Sequence, residues 1–565
     1  MRKLIVLLTI LSLVSCKKGI LDIDPLDRIS EEAVWKDENL IRAYEAELYN
    51  IIPHGFGVHG MLSKHTDEAV NTVPNGQAPY LFEKGTLTPD NVTQVNNLDN
   101  QRIYYWDHGY SYIRKINVFF DKLALNQVTL TDKAKLVAEV KFLRAYCYFM
   151  LLERFGGVPI VDKVYQLGQT VNFKRATIDE VVAYIDKNLT EAIPDLPQKY
   201  AANDANFGRA TQDACLALRS RMYLYAASPL YAGAKDNAKW QKAADAAQAL
   251  LTRGYSLYPD YKTAFNRPTG STNDELIFGK SFTTANGHQA PMHNLGRRYQ
   301  AYGGWWASNG PSQNLVDDYD MTNGLQPFTV TGTGTTAVKT INVASGYDPT
   351  KPYANRDPRF DASVIHDETT FHGDFYEMWV SSDGKTWGFD SYKQSSDNPR
   401  CNYILKKFMP EDQPLNWQTT YTIPWPIFRL GEIYLNYAEA KFELGDEATA
   451  REYVNKVRAR PSVNLPPIPA TVTGEALRQR IYNERRIELA FESHRFWDIR
   501  RWKIAIDIEN RPVYGMDIIK NVTTGVKTYT PVKMLEHTYL DKMNFMPIET
   551  NEVRRNPDIT QIGGW

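Results

Sequence analysis

Paired helical segments with small residues at the positions where two helices would meet constrain this chain more than any other feature. In 429–460 an apolar-periodic helix runs to Leu444, a Gly-Asp dipeptide turns the chain, and a second helix follows. Alanines recur in the same way in 210–228 and 239–257, where they would let two helices approach closely. Because a helix with one apolar face must bury it against another element, the pattern predicts a scaffold of stacked helix pairs.

The length of the 429–460 segment resembles that of a tetratricopeptide repeat, whose period is about 34 residues. Two more amphipathic helices are predicted before it, one ending at Gly156 and one over 177–197. Between about 258 and 426, short apolar runs are separated by Gly, Pro, Asn, Asp, Ser and Thr, which predicts loops with short strands. The predicted fold class is therefore mainly α, with one loop-rich region.

The charge balance argues against a protein that binds nucleic acid through its phosphates. The 565 residues carry 65 Lys and Arg against 66 Asp and Glu, a formal net charge of -1. Hydrophobic residues make up 43% of the chain, which is ample for a packed core. Aromatic residues make up 12%, enough both to fill that core and to form a binding surface.

The first fifteen residues have the form of an export signal. Two basic residues precede an apolar run over 4–14, which is too short to span about 30 Å of hydrocarbon. The signal ends Leu-Val-Ser before Cys16, which resembles the lipobox of bacterial lipoproteins. That resemblance implies that 1–15 are removed and that Cys16 is acylated with two or more chains, which hold a protein stably at a membrane. The remaining cysteines, odd in number and predicted to be small buried hydrophobic residues, are Cys147, Cys215 and Cys401.

Motifs for catalysis, cofactors and metals give no convincing match. The segment 332–337 fits GxGxxA, but a strand-like VKTINV follows where a phosphate-binding helix should begin. Histidines at 54, 59 and 65 stand among glycines, at spacings that do not bring metal ligands to one helical face. Asp317 and Asp318 are neighbours in sequence, whereas glycosidase chemistry depends on the separation of carboxylates in space. The sequence predicts no catalytic residue, no metal site and no cofactor.

Charged and aromatic residues are densest in 477–502. A helical face with Leu477 and Ile481 also carries Glu484 and Glu488, and five arginines of the segment lie within reach. The arginines could form an anion site, or both signs of charge could pair internally as a buried lattice that joins helix to helix. We predict the lattice, because the segment itself supplies both partners.

A second aromatic stretch, 297–321, is typical of a surface that binds carbohydrate. Tyr299, Tyr302, Trp305 and Trp306 surround a Gly-Gly pair, with Ser, Asn and Gln as neighbours rather than the aliphatic residues of a core. The C–H face of a pyranose can pack on an aromatic ring while amides and carboxylates bond its hydroxyls. The alternative is that the aromatic residues of 297–321 belong to a packed loop.

Six segments of the chain are similar, in this order, to consecutive signatures of the SusD/RagB family. They cover nearly the whole chain after Cys16 and stand behind a lipobox. The segments are FLRAYCYFMLLERFGGVPIV, TIDEVVAYIDKNLTEAIPDLP, GRATQDACLALRSRMYLYA, IFRLGEIYLNYAEAKFELGD, NERRIELAFESHRFWDIRRW and PIETNEVRRNPDITQIGGW.

The resemblance implies a single SusD-like domain over 16–565, built on four tetratricopeptide-like helix pairs. We expect the helical scaffold at about 30–257 and 427–502, the loop-rich ligand region at about 258–426, and a C-terminal segment at 503–565.

The resemblance also implies a function and a place in the cell. Such proteins are surface-exposed outer-membrane lipoproteins of Bacteroidetes that bind glycans without cleaving them. They act as the lid of a SusC-like TonB-dependent transporter and hand oligosaccharides into it. RagB-like members of similar fold take peptides instead. Two alternatives from other classes stay open: an exported glycoside hydrolase, and an interaction scaffold whose aromatic residues are merely packed.

Site residues are carried over from the family position by position. Asp67, in KHTDEA, matches the family's acidic position after the first helix, and Asn97 and Trp106 fall near its early aromatic–amide contact. The Tyr-Trp-Trp cluster of 297–321 precedes a segment similar to the one behind the family's binding loop. We expect Trp305 or Trp306 to be the stacking platform, with Asp67 and Asn97 bonding sugar hydroxyls. The expected ligand contacts are Trp305, Trp306, Tyr299, Trp106, Asn97 and Asp67.

Overall fold

The computed structural model gives the chain a mainly helical body with small sheets. It describes residues 31–57, 60–72, 81–97, 103–125, 128–166, 168–169, 171–302 and 307–565. Cys16 and the signal segment 1–15 lie outside these residues, so the export signal and the lipid anchor stay predictions.

Ten helices of eight or more residues form the scaffold of the described ranges. They are α1 Glu38–Leu48, α2 Trp106–Leu125, α3 Lys133–Phe155, α4 Ile178–Ala192, α5 Gln212–Ala227, α6 Asn237–Gln248, α7 Leu430–Glu443, α8 Glu447–Arg458, α9 Gly474–Glu488 and α10 His494–Arg501. Shorter helices lie at Glu31–Val34, Pro229–Ala232, Tyr261–Ala264, Ala290–Asn294, Gln313–Asp318, Pro358–Ser363, Ala505–Glu509 and Thr550–Arg555.

Consecutive long helices pack as pairs, and the pairs stack. Helix α3 packs against α4, α5 against α6, and α7 against α8, while α4 lies on α5 and α6 lies on α7. Helix α2 lies against α3, and α9 lies against both α7 and α8. Ala217 and Ala226 of α5 and Ala243 and Ala247 of α6 are all buried, as the small residues of the two segments predicted. The stacking of helix pairs buries faces that no single pair could bury alone.

Side-chain caps fix where the helices of this scaffold begin. Thr177 accepts a hydrogen bond from the Glu180 amide at 3.2 Å, and the Glu180 carboxylate accepts one from the Thr177 amide at 2.7 Å, a capping box that starts α4. Asp446 accepts from the Thr449 amide at 3.1 Å and starts α8. The predicted helix–turn–helix over 429–460 is therefore confirmed.

The strands are short and mostly lie in the loop-rich region. They are β1 Ala69–Asn71, β2 Leu276–Lys280, β3 Asn309–Pro311, β4 Phe328–Thr331, β5 Val338–Ile341, β6 Val364–Ile365, β7 Thr370–Phe371, β8 Asp374–Phe375, β9 Val380–Ser381, β10 Ile404–Leu405, β11 Trp425–Arg429, β12 Val513–Lys520 and β13 Lys527–Leu535. Strand β2 pairs antiparallel with β11, and β5 pairs antiparallel with β4. The segment 332–337 holds only the short 3₁₀ turn Gly334–Thr336 before β5, so no α-helix begins there, which confirms that the GxGxxA match is not a phosphate-binding loop.

The C-terminal segment contributes the two longest strands, which the sequence did not lead us to predict. Strands β12 and β13 form an antiparallel hairpin, and β9 adds to β12 in parallel, so the sheet order is β13-β12-β9. The register sets Val380 opposite Ile519 and Ser381 opposite Lys520. The C-terminal segment thus pairs directly with β9 of the loop-rich region.

Buried ion pairs join the helical scaffold to the loop-rich region. Glu488 of α9 accepts hydrogen bonds from Arg359, Arg429 and Arg460 at 3.0, 2.7 and 2.6 Å. The three arginines come from a short helix of the loop-rich region, from β11 and from the chain after α8, and each is at most 3% exposed. We call this set the Arg–Glu lattice; its members are Glu275, Arg359, Arg429, Arg458, Arg460, Glu484 and Glu488.

The predicted lattice of buried ion pairs is confirmed, but the expectation that 477–502 supplies both partners is only partly right, since Glu484 and Glu488 pair with arginines from outside it. Arg485 pairs with Asp498 at 2.8 Å, and Arg501 pairs with both Asp498 and Glu439. The arginines of 477–502 do not pair with Glu484 or Glu488; Arg486 and Arg495 pair instead with Asp67.

The three remaining cysteines are buried free thiols, as predicted. Among the described residues, no helix has both the length and the apolar character needed to cross a bilayer. Within the same ranges, no group of three or more His, Cys, Asp or Glu side chains is placed to hold a metal ion.

Candidate functional site

Three exposed aromatic rings lie close together in sequence within the loop-rich region. Phe375, Trp387 and Phe389 are 53%, 38% and 44% exposed, and they are the Phe and Trp rings that stand out most from the surface of the described residues. Most other Phe and Trp rings in those residues are buried in the core. Rings left open to solvent in this way are a common mark of a binding surface.

Two extended stretches of backbone hold Trp387 and Phe389 in place. The amide of Ser381 donates to the carbonyl of Thr386 at 2.8 Å, and the amide of Asp390 donates to the carbonyl of Glu377 at 2.9 Å. The hydroxyl of Ser381 accepts from the amides of Lys385 and Thr386 at 3.1 and 3.0 Å, which fixes the turn. We call 377–390 the aromatic hairpin.

Exposure alternates along the second half of the aromatic hairpin. Trp387 and Phe389 are exposed, whereas Gly388 and Asp390 between and after them are buried. A Cβ atom on Gly388 would lie 2.3 Å from the carbonyl oxygen of Glu377, so only glycine lets the two stretches approach this closely. The glycine therefore fixes how far the two neighbouring rings lie from the opposite stretch of the hairpin.

An arginine clamps the aromatic hairpin from behind. The guanidinium of Arg298 donates to both carboxylate oxygens of Asp390, from Nε at 3.0 Å and from Nη2 at 2.5 Å, and to the carbonyl of Phe375 at 2.9 Å. Its carbon Cζ lies 4.8 Å from the centre of the Phe389 ring, and that of Arg297 lies 5.5 Å away. Although burial lowers the pKa of Arg298, the hydrogen bonds to Asp390 and the charges of Asp390 and Asp374 raise it above its usual value. Two parallel hydrogen bonds of this kind fix the orientation of the guanidinium and the carboxylate relative to each other, besides pairing their charges.

Amide side chains complete the surroundings of the rings. The indole Nε1 of Trp387 donates to the Gln394 side chain at 2.6 Å, and Asn398 accepts from the Arg297 amide at 3.0 Å. We call the three rings with Arg297 and Arg298 the aromatic surface. Exposed ring faces bordered by amides and charged groups suit a ligand with apolar C–H faces and hydroxyl groups.

The structure places Tyr299 beside the aromatic surface but not in it. Tyr299 follows Arg298 in the 3₁₀ turn Arg297–Tyr302, is 6% exposed, and packs edge-on against Phe371 at 6.5 Å between ring centres. Its expected role as a ligand contact is corrected, because its ring has no open face. Trp305 and Trp306 lie outside the described residues, so their expected stacking role stays a prediction.

Trp106 and Asp67 are also corrected, since both lie in the interior. Trp106 begins α2, is 3% exposed, and packs against Phe155 at 5.1 Å between ring centres. Asp67 is 5% exposed; its Oδ2 accepts from Arg486 at 2.6 Å and its Oδ1 from Arg495 at 2.9 Å. Burial raises the pKa of Asp67, but the two guanidinium groups outweigh this and hold it well below the usual range.

Asn97 ends the 3₁₀ turn Val92–Asn97, and its side chain lies outside what the structure describes. Its expected contact with a sugar therefore stays a prediction.

Sequence reasoning missed Phe375, Trp387 and Phe389, although the signal for them was present. The segment GDFYEMWVSSDGKTWGFDSY mixes aromatic residues with Gly, Ser and Asp just as 297–321 does. Only the fold reveals that Arg297 and Arg298 of one segment clamp the rings of the other.

Two family models match the chain. One, described as the SusD family, matches residues 274–565, which is more than half of the chain, and one described as starch-binding associating with outer membrane matches residues 58–224.

Curated relatives and solved structures are similar over most of the chain. A SusD-like protein of Formosa agariphila is 24% identical over 526 residues, which cover 88% of this chain and 89% of that protein. The starch-binding protein SusD of Bacteroides thetaiotaomicron is 26% identical over 463 residues, 76% of each chain. The crystal structure of a SusD-like carbohydrate-binding protein from Bacteroides fragilis superposes with a TM-score of 0.74 at 25% identity, covering 93% of this chain and 100% of that one. These likenesses confirm the predicted fold class, mainly α with tetratricopeptide-like pairs and a loop-rich region with short strands.

Proposed function

This chain belongs to the SusD family, and from that premise we propose that it is a non-catalytic glycan-binding lipoprotein of the cell surface. It captures oligosaccharides on the aromatic surface and delivers them to a SusC-like TonB-dependent transporter in the outer membrane. Relatives named for starch binding and carbohydrate binding support the ligand class.

The single observation that carries the proposal is the group of exposed rings at Phe375, Trp387 and Phe389. Leaving such rings in water costs free energy of roughly 25 cal/mol per Å² of apolar surface, so their exposure favours a partner that covers them. The Arg298 clamp and the tight approach at Gly388 hold the rings before any ligand arrives. Preorganisation of this kind reduces the entropy lost on binding.

Carboxylates near the rings are engaged in other bonds, which favours binding over catalysis. Both oxygens of Asp390 accept from Arg298, Asp374 also pairs with Arg298, and Glu377 accepts from the Trp379 indole at 3.2 Å. A glycoside hydrolase needs one carboxylic acid to donate a proton and one carboxylate free to attack or to activate water. Carboxylates held in these hydrogen bonds and ion pairs suit neither the role of acid nor that of nucleophile or base.

A glycan array probed with the soluble chain starting at Lys17 tests the proposal. We expect saturable binding to at least one class of oligosaccharide, with no release of reducing ends from a polysaccharide panel. Reducing-end release would make the protein a hydrolase instead. Binding to a peptide library with none to glycans would favour the RagB-like peptide-import alternative, and either result would overturn the proposal.

The anchor is tested by the Cys16→Ser variant of the full chain. If Cys16 carries the acyl chains, the variant leaves the membrane fraction and the detergent phase, because two or more acyl chains are what hold such a body at a bilayer. Fractionation followed by immunoblotting measures this, and protease treatment of intact cells reports surface exposure. A variant that stays fully membrane-bound would contradict the lipidation of Cys16.

Transporter delivery is tested by affinity purification of the tagged wild-type chain from solubilised outer membranes. We expect a TonB-dependent barrel to be recovered in comparable amount, identified by mass spectrometry. Recovery of the chain alone under mild detergent would contradict the partnership.

A further inference from the structure

A cavity lies in a part of the fold that shares no residue with the aromatic surface. It has a volume of about 480 Å³ and lies between the segment Lys199 to Arg209, which leads into α5, and the chain from Tyr255 to Gly279. Small-molecule sites usually measure about 300–1,000 Å³. At roughly 30 Å³ per water, this cavity has room for a ligand of several rings.

The wall formed by 199–209 is held by its own backbone hydrogen bonds and includes two alanines. Backbone hydrogen bonds from Asp204 to Ala201 and from Phe207 to Asp204, both 3.0 Å, close successive turns in it. Gly208 has a φ of +91°, and a Cβ atom there would lie 2.4 Å from the Ser281 hydroxyl, so the wall is packed against the residue that follows β2. Ala201 and Ala202 leave the space beside this turn unfilled.

The floor of the cavity contains Arg209, whose side chain has one nitrogen without a hydrogen-bond partner among the described residues. Arg209 donates from Nε to Glu139 at 2.8 Å and from Nη2 to Glu45, and its side chain is 26% exposed. Within the described residues, its Nη1 makes no hydrogen bond. Burial and the charge of Glu139 raise the pKa of Glu45 to about 8, so near neutral pH this floor does not carry two full negative charges against Arg209. The floor therefore offers a fixed hydrogen-bond donor beside Glu139, which also pairs with Lys135 at 3.6 Å.

The other lining groups are aromatic rings and uncharged polar groups, with charges of both signs at the edge. Tyr200, Tyr255 and Phe207 supply rings, and Asn203 supplies an amide. Lys199 lies 4.9 Å from the centre of the Tyr255 ring, and Asp274 lies on the opposite wall. A free anion would meet an arginine already hydrogen-bonded to two glutamate side chains, and a purely apolar ligand would leave the polar groups unbonded.

We propose that this cavity is a second binding site, for a neutral oligosaccharide. Ring faces pack on the C–H faces of the sugar, and Nη1 of Arg209 with the Asn203 amide bonds its hydroxyls. The ligand class follows the function proposed for the aromatic surface, but the site itself stands on the geometry of the cavity alone.

Matched tryptophan substitutions on one turn test the site. Ala202→Trp fills the cavity, whereas Ala205→Trp adds the same ring three residues away, at an exposed position that does not line it. Both are made in the full soluble chain and in a Trp387→Ala/Phe389→Ala background that weakens the aromatic surface. The probes are neutral oligosaccharides of glucose, mannose, galactose and xylose, with an oligogalacturonate as the charged comparison. Calorimetry gives affinity and stoichiometry, and hydrogen exchange with mass spectrometry gives location.

We expect at least one neutral probe to slow exchange in 199–211 and 270–279, in the wild-type chain and in the Trp387→Ala/Phe389→Ala background. Ala202→Trp should weaken this binding more than about tenfold, a change of roughly 1.4 kcal/mol, and Ala205→Trp should leave it unchanged. The second site is overturned if every neutral probe leaves exchange in these segments unaltered, if only the oligogalacturonate protects them, or if both tryptophan variants bind alike. Protection of 373–392 is scored separately, so failure of the cavity and failure of the aromatic surface give different results.

Discussion

Trp387 and Phe389 are exposed on either side of a glycine, and the bidentate pair of Arg298 with Asp390 holds the aromatic hairpin without either ring. Replacing either ring by alanine should weaken glycan binding by about two- to twelvefold, since a ring contact contributes roughly 0.5–1.5 kcal/mol beyond its buried area. Calorimetry on the soluble chain measures the change in Kd.

The half-buried Phe328 of β4, in a different hairpin, is the control for these ring deletions. Phe328→Ala should leave Kd within twofold of wild type, an order-of-magnitude bound of about 0.4 kcal/mol. Equal losses in all three variants would mean that the aromatic surface has no special role in binding.

Asp67 and Glu68 are adjacent buried acids whose pKa values shift in opposite directions. Asp67 accepts directly from Arg486 and Arg495 and stays ionised, whereas burial raises the pKa of Glu68 to about 7 despite the same two arginines. The folded state therefore binds a proton at Glu68 that the unfolded state, with a pKa of about 4.3, releases. Its contribution to stability is full below pH 4.3 and is lost as the pH rises through 7.

Glu68→Gln removes this dependence, because the amide stays neutral at every pH. We expect the variant to match wild type near pH 4 and to exceed its free energy of unfolding by roughly 3 kcal/mol near pH 8.5. Thermal melting across that range measures the difference. A difference between the two proteins that stays constant with pH would contradict the raised pKa.

At the scale of elements, the aromatic hairpin depends on the close approach of its two stretches at Gly388. Gly388→Ala would set a methyl group against the Glu377 carbonyl, so we expect a loss of about 1–3 kcal/mol in stability together with weaker glycan binding. Melting temperature and Kd check the two effects. Gly563→Ala is the control, since open space surrounds that position, and a Gly388 variant that behaves like it would refute the packing argument.

Sequence patterns predicted the helices better than the site. The turn before Asp446 and the alanines of α5 and α6 are local signals, and the structure confirms the helices that they predicted. The hairpin β12–β13 and the pairing of Arg298 with Asp390 join residues far apart in the chain, and no periodicity encodes such a contact. Trp106 was misassigned for a related reason: an aromatic residue beside polar neighbours in sequence can still be packed inside by other elements in space.

At the scale of the whole molecule, the Arg–Glu lattice ties together segments that are distant in the chain. Glu488→Gln would leave Arg359, Arg429 and Arg460 short of one buried negative charge, which should cost about 3–5 kcal/mol in the free energy of unfolding. Urea unfolding measures the shift in midpoint.

Glu475, on the same helix and with a side chain 61% exposed, is the matched position. Its glutamine variant should change stability by less than about 1 kcal/mol. Similar small shifts for both variants would mean that the lattice is not a major contributor to stability.

The Arg298 clamp has one further consequence. Its hydrogen bonds run to the Asp390 carboxylate and to the Phe375 carbonyl, so this part of the anchorage uses no ring atom. The rings add the Trp387–Gln394 hydrogen bond and the arginine contacts of Phe389, but the bidentate pair at Asp390 does not depend on them. Randomising positions 375, 387 and 389 should therefore yield libraries of folded proteins with altered sugar specificity. The chain is then a scaffold from which lectins of chosen specificity can be engineered.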